Sequence, residues 1–93
     1  MPDALFPVYV LAKDCGEVKA YQSLGAMQGY MEAIDVENDE YEAWDATGRL
    51  IQLSVGSSKS QWLQIVTKDE RASNENFAAI TAKAVPSRQR AKN

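Results

Sequence analysis

Between Glu32 and Gly48 the chain carries seven carboxylates and no base, and this run is where side-chain chemistry is sought first. Asp35, Glu37 and Asp39 alternate as positions 1, 3 and 5 of a twelve-residue calcium loop do. The loop's sharp turn needs glycine at position 6, and its last ligand is a bidentate glutamate at position 12. Those places hold Glu40 and Ala46, so no metal site is assigned. Paired carboxylates can also act as general acid and base, but no pair here is set apart from its neighbours. There is no histidine anywhere, which removes the commonest general base and every Ser–His or Cys–His nucleophile pair. The lone cysteine, Cys15, has Asp14 and Glu17 beside it, and such charges disfavour a thiolate. "GSSKS" at residues 56–60 lacks the spacing of a phosphate-cradling glycine loop. The expectation is a protein that is not an enzyme and uses no cofactor.

Charge is unevenly divided along the chain. Residues 1–48 sum to −8 and residues 49–93 to +5, within a net charge of −3. Halves that differ this much either complement each other inside the fold or serve electrostatic recognition of a partner. Ninety-three residues with 45 % apolar content suit a single core. No apolar run approaches the roughly 18 residues of a membrane span, and the first residues, "MPDALFPVYVL", do not read as a signal peptide. With one cysteine, and hence no internal disulfide, a cytoplasmic location is expected.

The elements that position these residues follow from periodicity and turn chemistry. "FPVYVLAKDCGEVKAY" reads as a hairpin with strands near Phe6–Ala12 and Glu17–Tyr21, turning at Gly16. Pairing Lys13 with Glu17 places Val8, Val10, Ala12, Val18 and Ala20 on one face, and Tyr9, Leu11, Lys19 and Tyr21 on the other. Ser23 is a good N-cap for an amphipathic helix with Leu24, Met27, Met31 and Ile34 along its stripe. Gly25 and Gly29 weaken that helix. "EYEAWDATGRLIQL" is a second hairpin, closed by a type I turn with Gly48 in the left-handed region and Asp45 facing Arg49. Its register pairs Trp44 with Leu50, Ala43 with Ile51, Glu42 with Gln52 and Tyr41 with Leu53. Tyr41, Ala43, Ile51, Leu53 and Val55 then form the core face. After a polar loop, "WLQIV" is a further strand. "TKDE" at Thr67–Glu70 matches a capping box for a last helix reaching about Ala84, with Phe77, Ile80 and Ala84 on its apolar stripe; "SNEN" argues instead for a start near Asn74. The order ββαβββα is an α+β domain over residues 1–85, an antiparallel sheet of about five strands with two helices packed on it. Residues 86–93 are expected to be a disordered basic tail.

That register leaves an oddity, because the face opposite the core carries Glu40 and Glu42 with Trp44 and Leu50. Interfaces tend to be anchored by tryptophan, tyrosine and arginine inside a polar rim. Trp44 and Leu50, edged by Glu40, Glu42, Glu37 and Asp39, would offer an apolar anchor in a negative field to a partner protein with a basic surface. The competing reading has Trp44 covered by the C-terminal segment, the final helix or a second copy in a homodimer. The segment "IDVENDEYEAWDATGRLIQL" resembles stretches of small acidic bacterial proteins of unknown function, including presumed toxin-immunity proteins. The resemblance implies a small cytoplasmic binding protein without a catalytic site and carries over no individual residue. A second class of function is a nucleic-acid-associated or regulatory accessory protein using the bases of Lys83–Lys92. That tail has no aromatic residue for stacking, and the acidic half would repel a phosphate backbone, so nucleic acid is disfavoured.

Overall fold

Gly48 (φ +90°) and Gly16 (φ +76°) adopt the left-handed backbone that their two hairpins require. The structure, a computed structural model, describes residues 4–57 and 62–86. The first hairpin pairs β1 (Val8–Ala12) with β2 (Val18–Tyr21). Two helices follow, α1 (Leu24–Tyr30) and α2 (Ala33–Glu37). The meander β3 (Tyr41–Trp44), β4 (Arg49–Val55) and β5 (Leu63–Arg71) comes next. The chain then forms α3 (Asn74–Lys83) and a two-residue strand, β6 (Val85–Pro86). The sheet order is β5-β4-β3-β1-β2-β6. Its first five strands are joined antiparallel, and β6 runs parallel to β2. This is the α+β class, an open antiparallel sheet with helices packed on it.

The inner face of the sheet carries the core. Val8, Val10, Ala43, Ile51 and Leu63 are buried there with Met27 and Met31 of the α1 segment and Val36 of α2, and Tyr41, Leu53 and Val55 pack against them. The second hairpin turns at Asp45–Gly48, where the Gly48 N–H donates to the Asp45 carbonyl and the Asp45 N–H to that of Arg49. Trp44 pairs with Leu50 and Ala43 with Ile51, and the ladder stops there. Glu42–Gln52 and Tyr41–Leu53, expected from the sequence, are not paired.

The first hairpin is one residue out of the expected register. Leu11 pairs with Val18 and Val8 with Tyr21, while the Ala12 N–H donates to the Glu17 carbonyl. The Lys13 N–H, which was to face Glu17, donates to the carbonyl of Glu40 at 2.8 Å, so Lys13 belongs to the junction with β3. With a period of two, the slip exchanges the faces of β2. Tyr21 therefore enters the core with Val8 and Val10, and Val18 lies on the outer face with Leu11.

One predicted helix is two. Ser23 caps α1, accepting from the Ala26 N–H, but Met31 takes an extended conformation (φ −91°, ψ 154°) and ends it. The break resets the phase of the stripe. Met27 and Met31 stay buried and Val36 joins them, while Ile34, expected on the same stripe, is 60 % exposed. A Cβ at Gly29 would meet nothing within 4 Å, so this glycine serves no close approach. α2 ends in a Schellman motif. Asp39, at φ 59°, occupies the left-handed position; its N–H donates to the Val36 carbonyl and the Glu40 N–H to that of Asp35.

The capping box at Thr67–Glu70 is overridden, because these residues continue β5. Arg49 holds them in place, its Nε donating to the Lys68 carbonyl and its guanidinium pairing with Asp69. Between the Arg49–Arg71 and Ile51–Thr67 pairs, Leu50 opposes three residues, Lys68–Glu70. The helix instead starts at Asn74, as "SNEN" indicated, with Ser73 accepting from the Asn76 N–H. α3 lies on the outer face over β1 and β2, where Phe77 meets Tyr9 edge-on at 5.6 Å. Pro86 closes β6; the rest of the expected basic tail lies outside the described residues, as does most of the polar loop before Trp62.

Candidate functional site

The outer face of the sheet is divided. α3 covers it on the β1–β2 side, whereas on the β4–β5 side Gln52, Gln64, Val66 and Lys68 are exposed. Val66 is 58 % accessible, unusual for an aliphatic strand residue. Trp44 lies at the boundary, cross-strand from Tyr9 on one side and Leu50 on the other. It is only 7 % exposed. The expectation that Trp44 is an exposed anchor is therefore corrected: the final helix covers it. Nothing in the hairpin's alternation distinguishes a solvated outer face from a covered one. The apolar stripe Phe77–Ile80–Ala84 was the signal that a helix required a second sheet face to pack on.

Two depressions flank this boundary and share Glu42. A cleft of about 340 Å³ opens where the β3–β4 ladder ends, lined by Asp39, Tyr41, Glu42, Leu50 and two lysines, Lys13 and Lys68. A groove of about 380 Å³ runs beneath α3, lined by Leu11, Val18, Glu42, Trp44, Ile80 and Lys83, among others. Of the six residues singled out in the sequence, Asp39, Glu42 and Leu50 meet at the cleft, and Trp44 shares the groove with Glu42. Glu37, exposed at the end of α2, and Glu40, half-buried with its carbonyl bonded to Lys13, line neither.

The seven-acid run has three structural roles and an open remainder. Asp39 caps α2 and pairs with Lys13 at 3.2 Å. Asp35 accepts from the Tyr41 hydroxyl, and burial together with that carboxylate pushes the Tyr41 phenol upward. Asp45 is 1 % exposed. It accepts from the N–H and hydroxyl of Thr47, from the Arg49 N–H and from the Leu5 N–H. Burial works to raise its pKa, but these donors outweigh it and hold the carboxyl below its ordinary 3.8. Glu32, Glu37 and Glu42 are exposed, and no cation pairs with any of them among the described residues. Both ion pairs in the described residues, Lys13–Asp39 and Arg49–Asp69, stay within their own half of the chain. Among the described residues, then, no ion pair joins the acidic half to the basic half.

No three His, Cys, Asp or Glu side chains among the described residues are placed to hold a metal ion. None of the described helices is long and apolar enough to cross a membrane. In comparisons with known proteins, no family model, no curated protein and no solved structure matches the chain.

Proposed function

We propose that this protein is a small non-catalytic protein-binding module whose partner presents a basic surface. The contact set is Asp39 and Glu42, which meet Leu50 at the cleft, with Glu37 at the end of α2 and Val66 exposed on the outer face. The observation that carries the reading is the exposed part of the acidic run: among the described residues no cation pairs with Glu32, Glu37 or Glu42. Glu37 and Glu42, unlike Asp39 with its Lys13 partner, leave their field directed outward, where it steers a basic partner and fixes its orientation. Trp44, buried beside Leu50 on the same sheet face, is not the anchor of this surface. An inhibitor or immunity protein, directed at the cationic substrate cleft of a toxin, is the specific form of such a module that we favour.

The test compares the wild type with a Glu37→Gln/Asp39→Gly/Glu42→Gln variant, both immobilised and exposed to lysate of the source organism. Glycine suits the left-handed position of Asp39, so the variant loses charge without backbone strain. The wild type is expected to retain a basic protein that about 0.3 M salt releases, as screening of exposed charges requires, and the variant to lose it. Equal retention by both overturns the proposal.

A further inference from the structure

Trp44 is only 7 % exposed, and no described residue accepts a hydrogen bond from its indole N–H. A buried tryptophan N–H ordinarily has a partner, and an unsatisfied one calls for a specific explanation. Trp44 borders the groove beneath α3, whose volume of about 380 Å³ falls in the range of about 300–1,000 Å³ typical of small-molecule sites. The walls are apolar: Leu11, Val18, Ala79 and Ile80. The polar lining is sparse, with Asn76 and Lys83 contributed by α3 and Glu42 by β3. Lys83 and Glu42 do not form an ion pair, so the ammonium is free to meet a ligand.

We infer that the groove between α3 and the sheet binds a small apolar molecule bearing an anionic hydrogen-bond acceptor, of the aromatic-carboxylate class. The ring system lies against Ile80 and the indole, and the carboxylate accepts from the Trp44 N–H while Lys83 supplies the counter-charge. Apolar walls with a few convergent donors are the usual construction of such sites. A carboxylate gives the indole donor a charge-assisted partner, which an apolar molecule alone does not. This site is separate from the protein-binding surface, although Glu42 borders both.

Titration of 15N-labelled protein with 2-naphthoate, followed at the tryptophan indole resonances, tests the inference. Trp62→Phe identifies which of the two resonances belongs to Trp44. The Trp44 N–H is expected to move downfield and saturate with 2-naphthoate, and not to move with 2-naphthylmethylamine, which has a similar body but no acceptor. Ala79→Trp, at the solvent-exposed rim of the groove, should fill it and abolish the shift while the other resonances stay dispersed. Trp44→Phe keeps an aromatic wall without the donor and should weaken 2-naphthoate about tenfold. An indole resonance that stays fixed at millimolar 2-naphthoate, or tighter binding of the amine, overturns the inference, and the wild-type titration alone is enough to decide it.

Discussion

The side chain of Asp45 accepts a hydrogen bond from the backbone N–H of Leu5, forty residues earlier in the chain. The same carboxylate holds the turn that joins β3 to β4, and the Ala46 N–H in that turn donates to the Leu5 carbonyl. One buried charge thus fastens the segment before β1 to the far end of the central hairpin. Because the carboxyl is held below 3.8, the native state keeps it ionised where the unfolded chain has already taken up a proton. The stability it contributes is full above the unfolded value and is lost as pH falls through the lower native one. Urea midpoints of wild type and Asp45→Asn should therefore differ most near neutral pH and converge in acid. Asp45→Ala, which leaves three N–H groups without their acceptor, should cost at least about 2 kcal/mol at pH 7.

Tyr21 gives the opposite edge of the stability profile. It is 4 % exposed in the core. Burial, with Tyr41, Glu17 and Tyr30 adding to it, pushes its phenol up to about 12. The native state then retains a proton that the unfolded chain sheds near 10, so stability falls as pH rises from about 10 towards 12. Absorbance at 295 nm should show one tyrosine ionising only with unfolding. Tyr21→Phe should flatten the alkaline decline.

Trp44 separates packing from recognition. Trp44→Ala removes a buried side chain and should destabilise by about 3–5 kcal/mol in urea denaturation. Glu42→Gln, on the exposed surface beside it, should shift the midpoint by no more than about 0.5 kcal/mol. If Trp44→Ala unfolds as easily as the wild type resists, loss of partner binding in that variant says nothing about contact. Glu42→Gln is the informative change.

The glycines of α1 and the second turn should respond in opposite directions. Gly29→Ala places a methyl group in open space on a helix and should stabilise by up to about 1 kcal/mol. Gly48→Ala forces a side chain onto a residue at φ +90°, with its Cβ 3.4 Å from the Phe77 ring, and should destabilise by more than about 1 kcal/mol. Thermal melts of the two variants measure both.

Local signals hold where local chemistry decides. The Asp45–Gly48 turn fixes its own strand pairing, and Ser23 marks the start of α1. Strand alternation placed Ala43 and Ile51 on the core face. Signals that competed with tertiary contacts misled. The Thr67–Glu70 capping box is a sound helix start in isolation, but pairing with β4 and the grip of Arg49 keep it extended. The Lys13–Glu17 pairing failed because the Lys13 N–H has a better partner in the carbonyl of Glu40, the residue just before β3. The candidate site divides in the same way. The charge of Glu37, Asp39 and Glu42 could be read directly, whereas the cover over Trp44 depends on where α3 comes to rest. Nothing in the local alternation of β3 states which of its faces another element will occupy.

The three residues of β5 that oppose Leu50 bear on how these molecules behave when crowded together. β5 is the terminal strand of the sheet, and such a margin invites a second molecule to add its own strand there. At Lys68–Glu70 the spacing of the backbone is out of step with a regular strand, and the side chains are Lys, Asp and Glu. A neighbour laid alongside would lose its register within a few residues and meet charge where it needs apolar contact. The irregularity that accommodates Arg49 inside the fold also hinders stacking of one sheet onto the next, favouring discrete particles over fibres at high concentration.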